Sequence, residues 1–194
     1  KLKRAFLVAL KPFGISKQQF FRAYAKLRTR GSFAIGPFVK LFELSPVMQK
    51  KAIRALEKET ARAGRFLYPD VFPFLQYMKR KDVCVVIFTY GDLGFQRMKL
   101  KGMAKLKPLT SKIIITSKEK KTIALPRFSG HAAMIDNRSE VVEFYAKQYG
   151  MMPIVLQRPS PALRASSPIG RGLGDGYYRS LAAVKEMFER KGII

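Results

Sequence analysis

Between Phe66 and Leu156 the chain alternates apolar, β-branched runs with segments of helical period, and this alternation constrains the fold more than any other feature. Val83-Cys84-Val85-Val86-Ile87-Phe88-Thr89 is a continuous apolar run, the pattern of a strand buried on both faces. Lys112–Thr116, centred on Ile113-Ile114-Ile115, reads as a second strand, His131–Ile135 as a third and Met152–Leu156 as a fourth. Helical patterns lie between and around them: Pro69–Lys81, Phe95–Lys101, Lys118–Leu125 up to Pro126, Ser139–Tyr149 and roughly Tyr178–Lys191. In Ser139–Tyr149 the residues Val142, Tyr145 and Tyr149 face inward, and Asn137 with Glu140 makes a capping-box pattern. Strands alternating with helices imply parallel pairing in a doubly wound α/β sheet. Ligands of such sheets bind beyond the carboxyl ends of the strands. Two strand ends therefore draw the eye, Thr89-Tyr90-Gly91-Asp92 and Asp136-Asn137-Arg138-Ser139-Glu140. A carboxylate directly after the apolar residues Ala132–Ile135 is costly unless it is paired, which makes Asp136 the strongest single candidate for a site.

Residues 1–64 read as a helical layer or cap, with an α/β core over 65–194. Leu2, Ala5, Phe6, Ala9, Leu10 and Phe13 follow the spacing of one helix face, and Pro12 and Gly14 stop that helix. Ser16 and Gln19 make a capping box for a second helix with Phe20, Tyr24 and Leu27 on its apolar face and Phe21 beside it. Gly31 to Pro37 reads as a loop. Ser45-Pro46 sets an N-cap and a first-turn proline for a third helix, which carries Ile53, Leu56 and Thr60 on one face and runs to about Ala63. Residues 158–176, rich in Pro, Ser, Gly and Arg, read as a flexible basic loop.

The 194 residues, 47% of them hydrophobic, suit one domain or a core with a small appendage. No apolar run is long enough to span a membrane. The basic, apolar start Lys1–Leu10 lacks a small-residue cleavage site, so it does not read as a signal peptide. The single cysteine, Cys84, is expected as a buried free thiol of a reducing, cytoplasmic compartment. One Cys and one His exclude a zinc site. His131, the one histidine, is expected in a structural role on its strand. Lys and Arg number 38 against 13 Asp and Glu, a net charge of +25. That balance favours polyanions, including non-specific nucleic acid. The charge is spread along the chain, however, and a solvated basic surface without a dedicated partner explains it as well.

Four features in order resemble the haloacid dehalogenase (HAD) superfamily, over about residues 66–156. They are Phe66–Leu75 leading into a strand, Thr89 at a strand tip, Ile113–Lys121 with a lysine at a helix start, and Asp136-Asn137-Arg138-Ser139-Glu140 with its two acids four apart. The resemblance implies a HAD-like Rossmannoid core, Mg²⁺ and phosphoryl-transfer chemistry. It implies that the Thr89 hydroxyl, with the amides of Tyr90 and Gly91, binds phosphate. It implies that Lys118 balances charge, with Lys120 and Lys121 as alternatives, and that Asp136 and Glu140 hold Mg²⁺, an ion that takes hard oxygen ligands. Such chemistry rests mainly on positioning and charge.

The family's first motif, a strand ending in Asp-x-Asp with the nucleophile, is missing. None of Asp70, Asp82, Asp92, Asp136 and Asp175 lies two residues from another. Either Ala5–Leu10 is that strand, with Ala9 and Lys11 in place of the acids and the protein a pseudoenzyme, or Leu2–Phe13 is the first cap helix. In the second case the nucleophile strand precedes Lys1, and the strands at Val83 and His131 expose edges it would cover. The resemblance thus implies a phosphatase acting on a small phosphorylated substrate, its cap contributing basic residues such as Lys26, Arg28 or Arg30. The alternative is a non-catalytic basic platform for RNA or a ribonucleoprotein, using Arg158, Arg164 and Arg171. Gly172-Leu173-Gly174-Asp175-Gly176 lacks the setting of a phosphate loop and reads as flexible.

Overall fold

The computed structural model describes residues 1–29, 32–125, 131–158 and 176–194. They form an α/β protein with two small parallel sheets. Strand β1 (Val86–Tyr90) pairs in parallel with β2 (Lys112–Thr116), Val86 opposite Lys112 and Tyr90 opposite Thr116. Strand β3 (Ala133–Asp136) pairs in parallel with β4 (Met152–Leu156), which pairs in turn with the two-residue β5 (Tyr177–Tyr178). Parallel pairing follows from the sequence; the single sheet does not, because among the described residues no strand joins β1 to β3. Strand β5 is too short to carry a sequence period and was not expected.

The apolar run at Val83 enters the ladder three residues late. The first residue of β2 stands opposite Val86, and Val85 O already accepts from Ser111 N at 2.8 Å. Cys84 therefore precedes the strand and is exposed, against its expected burial. His131 likewise precedes β3 and is exposed, so it has no place inside a strand.

The chain divides into two compact units, residues 1–68 with 84–119 and residues 69–83 with 120–194. In the first, α1 (Leu2–Leu10) runs into a 3₁₀ turn that ends at Gly14 with φ 73°. Residues 2–10 are thus helical, so Ala5–Leu10 is not a strand and Ala9 and Lys11 do not stand at a strand tip. Helix α2 (Lys17–Thr29) opens on the expected capping box, Gln19 N donating to Ser16 Oγ at 3.2 Å and Ser16 N to Gln19 Oε1 at 2.8 Å. Helix α3 (Ile35–Val39) occupies a stretch expected to be loop. Its Ile35, Phe38 and Val39 are buried, and that apolar gain outweighs the poor helix propensity of Gly36-Pro37. Helix α4 (Pro46–Thr60) opens on Ser45, whose Oγ accepts from Met48 N.

Phe6, Leu10, Phe20, Leu27, Phe38, Val39 and Leu56 centre this unit's core. Phe95 of α6 (Leu93–Lys101) joins them edge-on, 6.4 Å from the Phe6 ring and 5.0 Å from Phe33. The N-terminal helices thus share one core with α6. A close backbone approach seals the unit: Gly64 N donates to Gly102 O at 3.0 Å, and a Cβ on Gly102 would lie 2.6 Å from Ala61 O.

The second unit packs α5 (Val71–Arg80), α7 (Ser139–Tyr149) and α8 (Leu181–Arg190) with β3, β4 and β5. Val141, Val142, Tyr145, Ile154 and Val184 are wholly buried in it. Ser180 caps α8 through Ala183 N. The helix expected over Lys118–Leu125 shrinks to a 3₁₀ turn at Lys120–Thr122, because tyrosines of α7 bind backbone groups of this segment that a longer helix would need.

Candidate functional site

In the first unit Thr89 lies one residue from the end of β1. Its Oγ1 donates to Gln96 Oε1 at 3.1 Å, and Gln96 Nε2 donates to Tyr90 O at 3.0 Å. Gln96, buried on α6, is the residue that sequence reasoning missed here; its position seven residues after Thr89 resembles no motif. Gly91 has φ 143°, and its N–H donates to Thr116 O at 2.9 Å. That amide continues the β1–β2 ladder and is already committed, so it does not serve as a phosphate donor in this state. Asp92 caps α6, its Oδ1 accepting from Phe95 N at 2.7 Å. Lys118 is exposed; its backbone N–H donates to Thr116 Oγ1 at 3.0 Å.

In the second unit Asp136 ends β3, and its side chain is only 7% exposed. Its Oδ2 lies 2.6 Å from Lys120 Nζ. Its Oδ1 accepts from Arg138 N at 3.0 Å, the local turn an aspartate makes with a backbone amide two residues on. This replaces the expected Asn137–Glu140 capping box: Arg138 is the N-cap of α7 and makes no side-chain cap bond. Glu140 is exposed, with Oε1 3.9 Å from Arg138 Nε. Lys120, one of the three lysines the sequence left open, is brought to Asp136.

Asp70 and Arg158 form a second, half-buried pair in this unit. Asp70 Oδ2 accepts from Arg158 Nη1 and, at 2.7 Å, from Leu181 N. Burial works to raise the Asp70 carboxyl. The Arg158 hydrogen bond, the Leu181 amide and the Arg158 charge outweigh it and hold the group below the usual carboxylate range. Arg158, one of the basic residues expected to serve RNA, is thus engaged with Asp70. Arg164 and Arg171, and the rest of the expected loop from 159 to 175, lie outside the described residues.

The two acids expected to hold Mg²⁺, Asp136 and Glu140, are engaged by basic groups. Both Asp136 oxygens are bound by donors, Lys120 and Arg138 add two positive charges, and among the described residues no three His, Cys, Asp or Glu side chains gather. No helix among the described residues is long and apolar enough to cross a membrane. No family model and no curated protein matches the chain.

Proposed function

We propose that the chain is the helical and supporting part of a HAD-like phosphatase for a small phosphorylated substrate. The observation that supports this reading best is the Lys120–Asp136 pair at the carboxyl end of a parallel strand. A carboxylate held there by a lysine suits a group that responds to an incoming anionic phosphoryl group and its balancing charge.

The nucleophile comes from outside these residues. Asp70, Asp92 and Asp136 are each engaged as described, Asp82 sits at a left-handed turn with φ 53°, and Asp175 lies outside the described residues. An added parallel strand carrying Asp-x-Asp would supply the attacking carboxylate and further oxygens toward Mg²⁺. The test is phosphate release from p-nitrophenyl phosphate by the natural gene product, with and without Mg²⁺. Mg²⁺-dependent turnover that Asp136→Asn abolishes supports the reading; an intact natural protein without turnover rejects it.

A second reading, a basic platform for nucleic acid, draws on one face of α4, where Lys50, Lys51, Arg54 and Lys58 are all exposed. Saturable binding to one RNA in excess competitor, lost when these four are reversed to Glu, would favour it over non-specific charge attraction.

A further inference from the structure

We infer that Tyr145 and Tyr149 are positioning residues that clamp the 120–125 segment onto α7 and thereby set Lys120 on Asp136; the functional sense of this inference rests on the proposed role of that pair. Tyr145 is wholly buried, and its single hydroxyl proton is shared by two carbonyls, Lys120 O at 2.6 Å and Ile123 O at 2.9 Å. Tyr149, one helical turn on, accepts from Leu125 N at 3.1 Å. The two rings lie 5.5 Å apart. The clamped segment has only the short turn Lys120–Thr122 as internal structure, so its path depends on these external bonds.

The arrangement ties both partners of the ion pair to one helix. Asp136 stands two residues before Arg138, whose amide it binds at the start of α7. Lys120 is reached through the tyrosine hydroxyls further along the same helix. A lysine side chain has many rotamers, and holding its ammonium at one carboxylate oxygen costs entropy. A backbone fixed at Lys120 O lowers that cost. A phenylalanine at 145 would keep the apolar ring, remove the hydroxyl donor from Ile123 O and leave Lys120 O with its bond from Ile123 N at 2.9 Å, loosening the hold on the segment.

Trace acetylation of the whole chain, read lysine by lysine by mass spectrometry, tests this without any need for turnover. Lys120 should label slowly in the parent protein. In Tyr145→Phe its labelling should rise about tenfold, the ratio expected for losing roughly one hydrogen bond of restraint. Lys185, which pairs with Glu189 at 3.3 Å, should label at an unchanged rate. Asp136→Asn sets the upper reference. A folded Tyr145→Phe with unchanged Lys120 labelling overturns the clamp, whatever its melting temperature. Should Tyr145→Phe show no cooperative unfolding, Tyr149→Phe carries the test, with about a threefold rise expected for loss of the weaker, single contact and no rise overturning the inference. Raised labelling alongside an inactive natural protein would remove the phosphatase reading and keep the clamp. Unchanged labelling alongside activity would do the reverse.

Discussion

Lys120 Nζ and Asp136 Oδ2 meet at 2.6 Å with side chains only 13% and 7% exposed. Removing one partner of such a pair leaves a desolvated charge behind, whereas removing both does not. Asp136→Asn should therefore destabilise the protein by about 3–5 kcal/mol. Asp136→Asn combined with Lys120→Met should recover at least part of that loss. Urea unfolding of the two single variants and the double variant measures the coupling. A double variant no more stable than Asp136→Asn would show that Lys120 tolerates losing its carboxylate.

Glycine at 91 and at 102 is required for different reasons, and the two alanine variants should separate them. Gly91 combines φ 143° with a Cβ position 2.7 Å from Gln96 Nε2, the far end of a side chain. Gly91→Ala should cost about 1–3 kcal/mol, mostly from backbone strain, and adding Gln96→Ala should not rescue it. At Gly102 the obstruction is backbone, Ala61 O at 2.6 Å and Thr60 O at 2.7 Å. Gly102→Ala should reach the upper end of the range of about 1–3 kcal/mol for overpacking. Denaturation midpoints decide both cases, and a rescue of Gly91→Ala by Gln96→Ala would assign its cost to the clash instead.

How much of this was legible in the sequence depended on the range of the contacts involved. Strand β2 came out with its ends correct because Ile113-Ile114-Ile115 is a local, continuous signal. The Ser16–Gln19 box was legible for the same reason, since its two hydrogen bonds span three residues. The start of β1 was not, because the ladder begins where β2 offers a partner, which Val83-Cys84-Val85 cannot report. The site divides the same way. Asp136 was visible as an acid at the end of an apolar run. The pairing of Lys120 with Asp136 was not visible, because the two lie 16 residues apart and the Lys120 carbonyl is bound by Tyr145, 25 residues away. Asn137 and Glu140 fit a capping pattern, yet the Asp136 carboxylate reaches the Arg138 amide first.

Asp70 gives the fold an acid-sensitive joint. Its folded carboxyl is held below the usual range, so the unfolded chain binds the proton more readily. Its contribution is complete above the ordinary Asp value, about 3.9, and is lost as the pH falls from there through the depressed folded value. Asp70→Asn should lower stability at pH 7 by about 1.5–3 kcal/mol, as expected for a hydrogen bond to a charged group, and should flatten the acid limb of the stability curve. Melting temperatures between pH 2 and pH 7 check this, and parallel acid limbs for the two proteins would remove Asp70 from the account.

Tyr145 predicts the opposite limb. Burial, then the neighbouring Tyr149, pushes its phenol from 10.0 up to about 12. The folded state therefore keeps a proton that the unfolded chain gives up near pH 10, and stability falls with rising pH across that window. The loss is on the order of 2 kcal/mol by pH 12. Lysines and the other tyrosines also titrate there, so the informative quantity is the difference between the parent and Tyr145→Phe. At pH 8 the variant should be the less stable of the two, since Ile123 O loses its hydroxyl donor and Lys120 O keeps only the bond from Ile123 N. Between pH 10 and pH 12 the gap should narrow, because the variant has no phenol to ionise on unfolding. Urea midpoints at pH 8, 10 and 11.5 measure it. A gap that stays constant over this range would mean that Tyr145 ionises as readily in the folded protein as in the unfolded chain, which its two carbonyl partners and its burial argue against.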